Sequence, residues 1–406
     1  MTTQEIIQHL AERRQRVLDG KVNCIPSPFP RFSRDFVGIE KKKYYCITAN
    51  TKIGKTQIAN YIFVYHAIMY AYEHPEQVRV KIYYYNLEED EENIKLRFMS
   101  YLLYKFSKGQ TRLSLMDLTS TRQDKPLDIT ILNTLSEQEP YKSILAFYDQ
   151  CIEFRTERHP TGIHKSIESY LAEHGTVYYK DQVVTDFDTK EKRTIKTFDR
   201  YEPDDPDEYF IPIIDHAGLL STEAGAETTK KAMDLLSTYL VKDRNRYKIS
   251  PVLVVQQAAD VESTENFKLK KLRPTANGLG DSKTIGRDFD IMLGLFSPFR
   301  HEIKEYMQYD ITRFRNNIRF MEVIINRGGE QNGLCPLYFD GCTNFFAELP
   351  LPDNPAINNY YQLLQSYKKV NLLIKKPKSV WQKLLQSWVT RAMAKRLQPS
   401  LTPMEQ

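Results

Sequence analysis

Residues 49–56 read Ala-Asn-Thr-Lys-Ile-Gly-Lys-Thr. They follow an apolar segment, Tyr44 to Thr48, and lead into a stretch from about Gln57 to Tyr72 with helical spacing of its apolar residues. Strand, loop and helix in that order form the setting of the phosphate-binding pattern G-x-x-x-x-G-K-[ST], here with Ala49 at the first glycine position. Such a loop works only when a buried strand delivers it and a helix N-terminus leaves it, so it constrains the fold strongly. Backbone N–H groups around Gly54 then cradle phosphate oxygens at the positive end of the helix. Lys55 is placed to reach the β- and γ-phosphates and Thr56 to ligate Mg²⁺. Asn50, Thr51, Lys52, Ile53 and Gln57 complete the expected nucleotide-binding loop. The alternative is a chance Gly-Lys-Thr in an ordinary loop, which would not need these flanks.

The remaining chain repeats the alternation. Val78 to Asn86 reads as a strand ending at LEEDEE, followed by a helix carrying Ile94, Phe98 and Leu102. Residues 105–175 read as mostly helical. Residues 176–205 read as an insertion, because TVYYKDQVV and KRTIKTF alternate like hairpin strands. YFIPIIDH is a strand, Glu227 to Arg246 a helix, and PVLVVQQ, FDIMLGLF and MEVIINR further strands. Strands alternating with helices predict an α/β fold with a mostly parallel central sheet flanked by helices. The expected organisation is a linker helix and connector over 1–36, a main α/β domain over 37–350, and a basic helical tail over 351–406. The linker helix spans 2–19, with Thr2 and Glu5 as a capping-box pair and Gly20 as its terminator.

A phosphate loop needs an acidic partner for the metal and a group to orient water. Asp215 closes an apolar strand and suits the first role, or else is a simple turn aspartate. Pro212 in the same strand is awkward, since proline removes a ladder donor. Glu88 also follows a strand end, where a carboxylate can polarise the attacking water. The plainer account is helix N-terminal charge, shared with Glu89, Asp90, Glu91 and Glu92.

Charge is uneven. Residues 351–406 carry nine Lys/Arg against two Asp/Glu, while the whole chain is only +5. The basic surplus therefore belongs to the tail and points to a polyanion or to a solvated helix face. Within it, Trp381, Leu384, Leu385, Trp388, Val389 and Ala392 follow an amphipathic pattern. That helix either packs on its own domain or docks a partner. The five cysteines (Cys24, Cys46, Cys151, Cys335 and Cys342) are scattered, which suits a reducing cytoplasm and not a zinc site. Apolar runs are too short for a membrane span.

Together these pieces resemble the RecA-like motor domain of DnaB-type replicative helicases, over about residues 5–348. The helix 2–19 with IPSPFPRF resembles the family's linker helix and its entry into the core. Ala49 also occurs in the family. NLEEDEENIKLRFMS resembles its strand-end glutamate segment, with Leu87, Glu88, Glu92 and Arg97 in register, and IPIIDHAGLL its metal-aspartate strand. PVLVVQQ resembles the strand whose terminal glutamine senses nucleotide state; Gln257 matches best, with Gln256 a one-residue alternative. LGDSKTIGRDFDIMLGLF resembles the DNA-contacting loop and the strand after it, through Leu279, Ser282, Ile285, Asp288 and Asp290. VIINRGGEQNG resembles the arginine-finger segment, which makes Arg327 the finger. The resemblance implies ATP and Mg²⁺ as cofactors, and single-stranded DNA as partner in a homo-oligomeric, hexameric ring. It also implies a DNA loop over 265–284 using Lys268, Lys270, Lys271, Arg273, Asp281 and Lys283.

There are departures. Gly280 stands where the family has a DNA-loop arginine, and Ile325 where it has a lysine before the finger. No helical primase-recruiting domain precedes the linker, and 100–205 is longer than usual. These differences suggest a divergent phage or mobile-element member in a bacterial cytoplasm, with the tail as a docking point for a loader or replisome protein. The expected function is an ATP-dependent DNA helicase. A RecA-like ATPase that loads or remodels proteins on DNA is the alternative, and a catalytically silent nucleotide-binding relic the third reading.

Overall fold

The computed structural model describes residues 2–185, 192–257, 265–266, 272–279, 285–331 and 333–374, with side chains to 367. Its centre is a nine-stranded sheet. In chain order the strands are β1 (Tyr45–Ala49), β2 (Arg79–Asn86), β3 (Ile152–Arg155), β4 (Glu208–Asp215), β5 (Val252–Gln256), β6 (Ile291–Phe296), β7 (Ile318–Asn326), β8 (Leu334–Asp340) and β9 (Phe345–Glu348). The spatial order is β9-β8-β7-β6-β1-β5-β4-β2-β3. From β6 to β3 along that order, neighbours pair in parallel, and β7, β8 and β9 continue antiparallel. The mostly parallel sheet expected from the alternation is therefore present, with a three-stranded antiparallel extension.

β1 lies at the middle and is buried along its whole length, as a strand covered by helices on both faces must be. Its residues alternate between two cores. Tyr45, Ile47 and Ala49 face one that includes Ile58, Ile62, Phe98 and Tyr148. Tyr44 and Cys46 face another that includes Ile163, Ile167, Leu236 and Leu240. The helix after β1 runs from Lys55 to Glu73, with a π-helical stretch over Asn60–His66. Pro212 is accommodated because β4 registers with β5 only at Ile213 and Ile214, just after it.

The linker helix, α1 (Thr3–Leu18), has the expected capping box at Thr2 and Glu5. Gly20 sits beyond its end at a positive φ of 74°. No α1 residue is buried. The insertion is a long antiparallel ribbon, Gly175–Thr185 against Lys192–Pro203. The connector 21–40 forms a small pair of strands, Cys24–Pro26 with Gly38–Glu40, and buries Phe29, Phe32 and Phe36 in the core. Within 105–175, the segment after the helix Tyr141–Cys151 is β3, an edge strand on β2. A helix from Ile357 to Ile374 begins the basic tail. Its Ile357, Tyr361 and Leu364 pack with Phe314, Tyr338 and Leu349. The tail segment 379–393 lies outside the described residues, and no described helix is long and apolar enough to cross a membrane.

Candidate nucleotide-binding site

The C-terminal ends of β1, β2, β4 and β5 converge on a cavity of about 590 Å³, lined by Thr51, Lys52, Gly54, Lys55, Thr56, Gln57, Glu88, Glu89, Arg97, Asp215 and Gln256. Ligand crevices of parallel sheets lie at such strand ends. Gly54 caps the helix in the left-handed region, φ 106°. A side chain there is strained, and its Cβ would come within 2.9 Å of the Gln57 amide oxygen. Lys52 also has positive φ, at 60°. The loop is thus wound so that successive N–H groups converge.

Asp215 is buried at the floor. It accepts from the Thr56 hydroxyl at 3.2 Å and from the Tyr84 hydroxyl at 3.0 Å. Burial pushes its carboxyl up to about 6, opposed by those two hydroxyls and by the Lys55 ammonium. Adjacent hydroxyl and carboxylate oxygens form a hard-donor pair of the type Mg²⁺ prefers beside phosphate. Lys55 is nearly buried, with its ammonium 3.9 Å from Glu88, whose side chain is half exposed at the mouth. His216 also approaches Glu88, at 3.7 Å. Burial and the nearby Lys55 push its imidazole below the usual histidine range, so it stands by as a neutral hydrogen-bonding group at pH 7.

The loop residues expected from sequence are therefore gathered, with some distinctions. Ala49 ends β1 and Asn50 is buried behind the cavity. Gln256 lines the cavity and donates to the Thr51 hydroxyl at 2.9 Å. Gln257, the better match by sequence, does not line it. Its buried amide instead donates to Thr48 at 2.9 Å and to the Thr275 carbonyl at 3.1 Å. Arg97 lines the cavity but is held in a bidentate pair by Glu89. Sequence reasoning left out Glu89 and His216 as pocket-side groups, although both adjoin residues it chose.

Arg327 lies elsewhere. β7 runs antiparallel to β6, so Asn326 sits opposite Ile291, and Ile291 pairs in turn with Tyr45 at the start of β1. The Arg327 N–H donates to the Asp290 carbonyl, and its side chain is exposed, without an ion pair among the described residues. Roughly 13 Å of β1, four steps of about 3.3 Å, separate that edge from the phosphate loop. Of the expected DNA-loop residues, only Arg273 is described, and it pairs with Glu322 at 3.1 Å. Lys268, Lys270, Lys271, Asp281 and Lys283 lie outside the described residues.

A separate cluster of metal-type ligands joins two helices on the other face. His164 and Asp243 lie 2.8 Å apart and Glu168 is nearby. The Lys242 ammonium stands 3.2 Å from the other imidazole nitrogen and 3.5 Å from Glu168. A cation already sits at the convergence point, so we read the cluster as an ion-pair network tying Pro160–Glu173 to Thr229–Tyr247.

No protein-family model matches the sequence, and neither does any curated protein. Solved structures do match in shape. One, described as an ATPase domain, aligns with a TM-score of 0.58 and 15% identity, over 86% of this chain and 99% of that one. Another, "The Structure Of A DnaB-Like Replicative Helicase And Its Interactions With Primase", aligns with a TM-score of 0.56 and 15% identity, over 86% of this chain and 67% of that one. The fold of this chain is thus the RecA-like fold of a DnaB-type helicase motor domain.

Proposed function

We propose that this chain is an ATP-hydrolysing DNA helicase that translocates on single-stranded DNA during replication, working as a homo-oligomeric ring, most simply a hexamer, with ATP held between subunits. The observation that carries the reading is a division of parts. The phosphate loop, Asp215 and Glu88 meet at one edge of the sheet, while Arg327 projects from the opposite edge. An arginine so placed cannot serve its own pocket, and it is free to serve a neighbour's.

In this mechanism the loop N–H groups and Lys55 hold the nucleotide phosphates. Thr56 and Asp215 would hold Mg²⁺, which supplies charge neutralisation at the phosphates when bound. Glu88 accepts a proton from the attacking water, which its exposed position at the mouth permits. Arg327 of an adjacent subunit stabilises the charge that develops on the transferred phosphoryl group. Gln256 stands at the mouth as a nucleotide sensor, and buried Gln257 links Thr48 beside the loop to Thr275. The Lys-rich segment with Lys268, Lys270, Lys271, Arg273, Asp281 and Lys283 contacts DNA phosphates, giving affinity that falls with salt and ignores base sequence. The basic tail is a docking point for a loader or another replisome protein.

A strand-displacement assay on a tailed duplex tests the reading. Unwinding that requires ATP and Mg²⁺ is expected. DNA-stimulated hydrolysis without unwinding would favour an ATPase that loads or remodels proteins on DNA. Absence of any hydrolysis, with DNA and Mg²⁺ present, would overturn both.

A further inference from the structure

Two arginines grip the phosphate loop from behind. Arg319, in β7, is only 2% exposed. Its guanidinium donates to the Ile53 carbonyl at 2.8 Å, to the carbonyls of Asn316 and Ile318 at 2.8 Å each, and to the Asn316 side-chain oxygen at 3.0 Å. It lies over the Phe339 ring, 4.6 Å from the centroid. No carboxylate pairs with it among the described residues. Arg300, exposed before β7, donates to the Thr51 carbonyl. A buried charge without a counter-charge is costly to keep, so its place between the buried Ile318 and Phe320 asks for a purpose.

We propose that Arg319 and Arg300 are positioning residues for phosphate binding: each fixes one carbonyl of the loop backwards, which turns the following N–H forwards into the cradle. The planarity of the peptide does this. In a trans peptide the C=O and the N–H of the same plane point in opposite directions. Holding the Ile53 oxygen therefore aims the Gly54 N–H away from Arg319. Holding the Thr51 oxygen does the same for Lys52. Neither of these N–H groups has an acceptor among the described residues, so both are available to an anion. A guanidinium on the carbonyl also polarises the peptide and strengthens its N–H as a donor. Arg319 keeps its charge at neutral pH, although burial pushes its pKa down to about 9. The counter-charge missing around it is then the nucleotide's own phosphates across the loop.

This inference rests on the loop being the nucleotide site, and the test separates the two. ADP and ATP affinity, ATPase KM and kcat, and nucleotide-free melting are compared for the wild type, Lys55→Ala, Arg319→Met, Arg300→Met and Arg300→Lys. Arg319→Met removes a buried charge but leaves the Ile53, Asn316 and Ile318 carbonyls without their donor, so its melting is read beside its affinity. It should bind ADP and ATP about tenfold more weakly, as expected for lost charge-assisted alignment, with KM raised more than kcat is lowered. Arg300→Met should lose about threefold, and Arg300→Lys should regain part of it. Wild-type affinity in a folded Arg319→Met protein would overturn the proposal. If Arg319→Met melts early, the exposed Arg300 decides, and unchanged affinity in Arg300→Met overturns it equally. If instead Lys55→Ala binds nucleotide as the wild type does, the phosphate reading of the loop itself has failed.

Discussion

The two edges of the central sheet are finished to different degrees. At the edge where β1, β2, β4 and β5 end, polar groups pair within the chain: Asp215 has two hydroxyl donors, and Glu89 holds Arg97. At the edge where those strands begin, Arg327 is exposed and α1 leaves the body with no buried residue. Arg16 and Lys21 anchor the end of α1 to Asp207, just before β4. One edge gathers its polar groups around the cavity, and the other leaves an arginine and a helix in solvent. On the proposed function, the catalytic unit is a pair of edges from two subunits.

The comparison breaks most visibly in a mixing experiment. Arg327→Ala alone should lose about a thousandfold in ATPase rate, and Lys55→Ala alone should be inactive. Mixed, they should recover measurable activity, because a subunit with an intact loop then meets a subunit with an intact arginine. Activity that never returns on mixing would place the arginine's action within one chain, against the geometry of β7. Glu88→Gln should follow, with turnover reduced about a hundredfold or more and ADP binding nearly intact. Unimpaired turnover would remove Glu88 from the chemistry and leave it as helix N-terminal charge.

A smaller effect sharpens the finished edge. Asp215 titrates near 6 in the folded chain and near the usual 3.8 to 4 when unfolded. Its raised value means the folded state holds the proton more tightly, so ionised Asp215 destabilises the nucleotide-free chain. The cost is absent below about pH 4, grows as pH rises to about 6, and is full above that, on the order of 3 kcal/mol. Asp215→Asn should accordingly raise the melting temperature at about pH 7 without nucleotide, and the gain should vanish near about pH 4. A gain of the same size at both pH values would mean that the carboxylate's charge is not the cause.

Much of the finished edge was legible because strand ends advertise themselves. Lys55, Thr56, Glu88 and Asp215 each sit where an apolar run stops, and parallel topology then gathers them. The choice between Gln256 and Gln257 was not settled by sequence, since successive strand residues face opposite sides and a one-residue slip exchanges pocket for core. β3 was missed because its four residues follow a helix directly, without a turn signal. Arg319 and Arg300 were invisible for another reason. They reach the loop from 266 and 249 residues away, Arg319 from the antiparallel strand β7 and Arg300 from the short helix before it, whose place beside the loop no local pattern reveals. The one available hint was an arginine set among Ile318, Phe320 and Met321. The unfinished edge was legible in its parts, the capping box of α1 and the strand before Arg327, while their places came only with the ion pairs to Asp207 and the register of β6 and β7.

The smallest expected effect on the isolated chain is also the most discriminating for that unfinished edge. Ile6, Leu10 and Val17 lie along α1 and are 46%, 62% and 59% exposed. An apolar stripe left open in this way is characteristic of a contact surface. Glutamine is a good helix former, so Leu10→Gln with Val17→Gln should leave α1 intact. Because neither side chain is buried within the chain, the intrinsic stability should change by no more than about 0.5 kcal/mol. If the stripe packs on a neighbouring subunit, assembly should weaken at least about tenfold, since two apolar anchors are lost. ATPase activity should then fall at low protein concentration and return at high concentration, as a shared site requires. Sedimentation and activity measured over the same concentration series separate the outcomes. A melting temperature lowered at every concentration, with assembly unchanged, would show that α1 folds back on its own chain, and the two edges would no longer differ in the way proposed.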